Sequence, residues 1–182
     1  MNRSRLFART RRRACAVLLY VAAPALAGGA PFSVVEASIA EMQQALTEGR
    51  VTARQLVEQS LLRIALYEER LNAVIAVDPS ALEQADARDA ERREGRLRGP
   101  LHGIPVAVKD NIHTTGMPTT GGALAFAGLM APYEATLVTN LRAAGAIVLA
   151  KTQMTELGNW VAGPHGMPTN YCSLTGHGFN PY

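Results

Sequence analysis

The run GPLHGIPVAVKDN, residues 99–111, decides how this chain is read. Gly99, Pro100 and Gly103 open it as a loop. Ile104 to Lys109 then reads as a short, buried β-strand, because apolar residues follow one another without a helical period. The strand ends on Lys109, with Asp110 and Asn111 next. A lysine after Ile104, Val106, Ala107 and Val108 is costly to bury unless its charge is satisfied or its proton is meant to leave. From the residues alone two readings stand: a strand-end lysine reaching water, or a lysine set up to exchange a proton. Asp110 is not its expected partner, since neighbours on a strand point to opposite faces.

Working towards the C-terminus, residues 111–122 are rich in Thr and Gly, a functional-loop composition. Leu137, Leu141 and Ala144 give residues 135–144 helical spacing, and Gly145 is a natural stop. Ala146 to Ala150 reads as a second buried strand. Strand, crossover helix and strand form a βαβ unit with parallel strands. In open α/β sheets ligands collect outside the carboxyl ends of the strands, and both Lys109 and Lys151 sit at such ends. A short helical turn is expected after Thr155, and irregular structure from Gly163 onward.

Working towards the N-terminus, Asp78-Pro79 reads as a helix start with Pro at the first helical position, and the Ala-, Glu- and Arg-rich helix runs to about Glu94. Residues 73–77 form a short apolar strand. Before it, Thr52-Ala53-Arg54-Gln55 has capping-box spacing and opens a helix to about Arg70. Ser38-Ile39-Ala40-Glu41 repeats the pattern for a shorter helix closed by Gly49.

The chain has 182 residues, enough for one domain with a core. Aromatic residues make up only 5% against 48% hydrophobic, so that core is aliphatic. The net charge of +3 is unevenly distributed. Six arginines fall within the first thirteen residues; beyond Ala27 twelve basic face fifteen acidic residues, a net of −3. A sequence pI of 9.1 therefore gives no argument for nucleic acid as a partner. The arginines, the apolar run 14–23 and Ala25-Leu26-Ala27 match a secretory signal peptide over residues 1–27, leaving 28–182 as the mature chain, exported to periplasm or medium by an open route and without a membrane anchor. The alternative is a basic arm followed by a short buried helix. Cys15 lies in that segment and Cys172 is left alone, so no internal disulfide is expected. His102, His113, His165 and His177 fit no metal-ligand spacing and read as polar loop residues; Met117 and Met167 read as packing residues.

Taken together, GPLHGIPVAVKDN, MPTTGG (117–122), ATLVTNLRAAGAIVLAKTQMTE (135–156) and FNPY (179–182) closely resemble the amidase signature family, over residues 52–182. The resemblance implies an α/β fold, a mixed β-sheet flanked by helices, of which this chain holds an N-terminal part with an incomplete sheet. It also implies a Ser–cis-Ser–Lys triad, a small-molecule amide substrate, and neither metal nor cofactor. Lys109 matches the family's catalytic lysine, and Thr120, Gly121 and Gly122 are the expected margin of the substrate pocket. Thr120-Gly121-Gly122-Ala123 departs from the T-T-x-G-S often seen in the family.

Under that mechanism a neutral lysine takes the serine's proton through a bridging serine. A free lysine titrates near about 10.4 and a useful base near ~7–8, a gap on the order of 4 kcal/mol. Burial at the end of the apolar strand is the expected source of that shift. The Gly/Ser-rich segment that follows N-P-Y in the family does not occur in these residues, and Ser173 lacks its Gly-Ser-Ser context. The chain is thus expected to be an N-terminal fragment, inactive alone. Two other functions stay open: the A subunit of a glutamyl-tRNA amidotransferase, and a noncatalytic binding protein.

Overall fold

A computed structural model describes residues 31–159 and 168–181. The expected signal segment 1–27, and with it Cys15, lies outside the described residues, as do His165 and Met167. Helix α1 spans Ile39–Thr47 and α2 spans Ala53–Leu71. Both begin with the capping boxes the sequence announces. The Ser38 and Thr52 side chains accept from the N–H groups of Glu41 and Gln55, and those two side chains accept from the cap N–H in return. Gly49 follows α1 with φ +69°. Strand β1 is Val74–Val77, helix α3 Ala81–Arg93, strand β2 Pro105–Lys109, helix α4 Thr136–Ala143 and strand β3 Ile147–Thr152.

Helix α3 starts later than the Pro79 signal suggests. The Asp78 carboxylate accepts from the Ser80 N–H and hydroxyl at 2.8 and 2.7 Å, forming a turn that contains Pro79. The Gln84 side-chain amide donates to the other Asp78 oxygen at 3.0 Å, so this turn is anchored to the helix that follows it.

The sheet is mixed, in the order β1-β3-β2. β2 and β3 are parallel, as the βαβ reading requires, and β1 joins β3 antiparallel. The central strand β3 is buried from Ile147 to Lys151. Edge strand β2 is not: Ala107 and Lys109 are exposed and only Val108 is buried, so the expectation of a wholly buried strand holds for β3 alone. Helices α1, α2 and α3 supply one core, in which Leu46, Leu56, Val57 and Ala85 meet Ile104, Ile147 and Leu149. Full burial of each larger side chain contributes roughly 1.5–3 kcal/mol. Helix α4 builds a second core from Val138 against Val108, Val148 and Met117.

The last described stretch is not wholly irregular. β4 (Tyr171–Cys172) and β5 (Gly176–His177) pair antiparallel. Asn72, the left-handed residue that ends α2, ties this hairpin down by donating from Nδ2 to the carbonyls of Thr175 and His177, each at 2.8 Å.

Candidate active site

At the carboxyl ends of β2 and β3 the register is decisive. Val108 is level with Lys151, and Lys109 is level with Thr152. The two lysines are therefore one position out of step and project from opposite faces of the sheet. Lys109 is exposed, whereas Lys151 is completely buried. The burial expected for Lys109 thus belongs to Lys151. A pattern of apolar neighbours marks both strand ends but does not say which face is covered.

Lys151 reaches under the loop that leaves β2. Its Nζ donates to Thr119 Oγ1 at 2.8 Å, to the Pro118 carbonyl at 3.0 Å and to the Asp110 carbonyl at 3.4 Å. It also lies 3.3 Å from Asp110 Oδ1. That last contact is an ion pair, and among the described residues no geometrically well-directed hydrogen bond reaches Oδ1. Burial pushes the Lys151 ammonium below the ordinary lysine range, and the Asp110 carboxylate pushes part of the way back.

Asp110 is itself fully buried. Its Oδ2 accepts from the backbone N–H groups of Thr120 and Gly122, each at 3.1 Å, and from the Thr120 hydroxyl. The Thr-Gly-Gly loop closes around this carboxylate. Gly122 has φ +75°, and a Cβ there would come within 2.8 Å of Cys172 Cβ, so only glycine is accommodated. Of the three residues expected at a pocket margin, Thr120 and Gly122 are buried beneath the chain's own atoms and Gly121 is half-buried. The amides of Thr120 and Gly122 are turned inward, onto Asp110 Oδ2. The pairing of Asp110 with Lys151 is what sequence reasoning misses. The adjacency of Asp110 to Lys109 is visible in the sequence, but the partner on the next strand follows from the β2–β3 register.

Ser173 is anchored in the fold. Its hydroxyl accepts from the Leu124 N–H at 3.0 Å, and its own N–H donates to Glu156 at 2.7 Å. At the opposite ends of the two strands His102 is buried, not a surface loop residue. Its Nδ1 accepts from the Arg98 N–H at 3.2 Å, and Nε2 donates to the Arg88 carbonyl at 2.9 Å. Burial, the largest influence, holds its pKa below the ordinary histidine value. Both nitrogens are used only if the ring is neutral.

A family model described as Amidase matches residues 55–177, and the chain belongs to that amidase signature family. Among curated relatives, the A subunit of the glutamyl-tRNA(Gln) amidotransferase from Rhodopirellula baltica is 42% identical over 120 residues, covering 65% of this chain and 24% of that protein. Its namesake from Streptomyces coelicolor is 37% identical over 150 residues, 79% of this chain and 30% of its own length. Among solved structures, the native peptide amidase from Stenotrophomonas maltophilia superposes with a TM-score of 0.76 at 43% identity, over 81% of this chain and 30% of that one. An amidase family protein from Bacillus anthracis gives 0.76 at 36% identity, over 82% and 30%. The chain thus spans less than a third of the length of each of these relatives.

Proposed function

We propose that this chain carries the proton-accepting lysine of an exported amide hydrolase, with Lys109 as the base. The observation that carries this reading is the position of Lys109 at the carboxyl end of β2, exposed on the sheet face opposite the buried Lys151. A serine hydroxyl attacks an amide carbonyl only if a base removes its proton. The neutral amine of Lys109 takes that proton through a bridging serine and returns it to the departing nitrogen. The C–N bond breaks, ammonia or an amine leaves, and water then releases the acyl group as a carboxylate.

These 182 residues contain no Gly-Ser-Ser run, so both serines are assigned to sequence outside them. The same outside sequence is assigned the task of covering the exposed face of β2. Removing water from around Lys109 is what favours its neutral form. The substrate class is a small carboxylic amide, and the likeness to a peptide amidase is consistent with it.

The test is direct. Residues 28–182 alone should hydrolyse no simple amide above a buffer blank. Joined to a serine-bearing remainder they should do so, and Lys109→Ala should then cut turnover by roughly 10²–10⁴. Turnover by the isolated chain that survives Lys109→Ala would refute the assignment. A second reading, the A subunit of a glutamyl-tRNA(Gln) amidotransferase, is favoured by the names of the curated relatives. N-terminal sequencing separates the two. A mature start near Gly28 on exported protein supports the hydrolase, and an intact Met1 on cytosolic protein supports the transamidase.

A further inference from the structure

We infer that Asp110 and Lys151 are positioning residues: together they lock the peptide that carries Lys109 and the loop 118–122 into one rigid unit. The inference rests on the reading of Lys109 as the base and adds how that base is held. Four observations lead to it. Asp110 directly follows Lys109, and its N–H continues the sheet ladder to the Thr152 carbonyl at 3.1 Å. The Lys109 carbonyl accepts from the Ile112 N–H at 2.9 Å, so both polar groups of the Lys109–Asp110 peptide unit are held. The Asp110 carboxylate gathers Thr120 and Gly122 through two N–H groups and one hydroxyl. Lys151, from the neighbouring strand, closes the other side on Pro118, Thr119 and Asp110.

Each part of this arrangement requires the others. A buried carboxylate without a counter-charge is costly, and Lys151 supplies the charge. A buried ammonium needs acceptors for its three protons, and Pro118, Thr119 and the Asp110 carbonyl supply them. Two inward-pointing loop amides need an acceptor, and Asp110 is that acceptor. The result fixes the separation between the root of Lys109 and the loop wall. An active site needs such fixity, because a base misplaced by about 1 Å can cost on the order of 10²-fold in rate. The loop amides are consumed in building the wall. Thr120 and Gly122 therefore act as scaffold, not as donors to a substrate anion.

Two measurements test the inference. In the 182-residue chain, amide proton exchange should be slow at Thr120 and Gly122. Asp110→Ala should speed it there by about tenfold or more, while the amides of Ile147 and Val148 in β3 hold their rates. If the alanine variant does not fold, Asp110→Asn, which keeps the shape and one acceptor oxygen, should give a smaller rise at the same two amides. Unchanged protection at both amides in a folded Asp110 variant overturns the inference. In the serine-bearing protein, Asp110→Asn should lower kcat by about 10²-fold with KM little changed, and Asp110→Glu should restore part of it. A fall that follows only the folded fraction, with kcat normal per folded molecule, also overturns it. Lys109→Ala should leave the exchange of Thr120 and Gly122 unaltered. If that variant instead keeps its turnover, the base assignment fails while the exchange result stands by itself.

Discussion

The carboxyl ends of β2 and β3 each carry a lysine, and the two live in opposite surroundings. Lys151 is fully buried, with its three protons directed to oxygen acceptors and a carboxylate 3.3 Å away. Lys109, level with the next residue of β3, projects from the other face and is exposed. The buried lysine is engaged on every side by the loop above it and by Asp110. The exposed one is held firmly at its backbone, while its amine is accessible. In the proposed function the lysine assigned to chemistry is the less buried of the two.

The largest effect that can break this comparison is on rate. In the serine-bearing protein Lys109→Arg should fail almost as completely as Lys109→Ala, with a loss of roughly 10²–10⁴ in turnover. A guanidinium stays protonated and takes no proton from a serine. Thermal midpoints should stay at the wild-type value for both. Near-normal activity in Lys109→Arg would reduce Lys109 to a fixed charge and erase the functional distinction between the two strand ends.

Next in size is the effect of the same experiment on the other lysine. Lys151→Met leaves Asp110 buried beside an apolar chain and should destabilise the fold by about 3–5 kcal/mol, read as a denaturant or thermal midpoint. Pairing it with Asp110→Asn removes both charges and should recover much of that loss. Full stability in the single variant would mean that the ion pair contributes nothing.

The amino ends of the two strands sharpen the contrast. Gly145, just before β3, has φ +91°, and a Cβ there would lie 2.6 Å from His102 Cα. Gly145→Ala should cost about 2–4 kcal/mol from the left-handed backbone and the clash together. No comparable loss is expected from Gly128→Ala, where no atom of the described residues lies within 4 Å, beyond the backbone cost alone.

The smallest effect is a pH dependence. His102 is held neutral below its ordinary value of 6.5, so the unfolded chain binds its proton first as pH falls. Stability should therefore decline from about pH 6.5 downward, at most about 1.4 kcal/mol per pH unit for one group. Glu91, whose pKa the Arg98 and Arg88 side chains hold down to about 2, adds a further loss as pH falls below its ordinary value of 4.5. Midpoints between about pH 7.5 and 5.5, which bracket the ordinary histidine value, should lose most of their slope in His102→Gln. An unchanged slope would assign the dependence to other groups.

Much of the fold is legible in the sequence because its signals are local. Capping boxes at Ser38 and Thr52, the stop at Gly145 and the two apolar runs each act within a few residues, and each element forms where it is expected. Pro79 misleads because Asp78 competes for the nearby N–H groups and turns the chain before the helix begins. His102 misleads because what buries it is not in its own segment: the Arg88 carbonyl and Gly145 come from other parts of the chain.

By itself, the sequence determined the family, the βαβ order and the candidacy of Lys109, since all three are written in contiguous residues. Only the tertiary structure decided which lysine is buried. That choice depends on the register between β2 and β3, where a displacement of one residue exchanges the two faces. It decided in the same way that Asp110 belongs to Lys151 and the Thr-Gly-Gly loop rather than to its neighbour Lys109. Consecutive side chains on a strand diverge, and their partners are supplied by whatever the fold brings against each face.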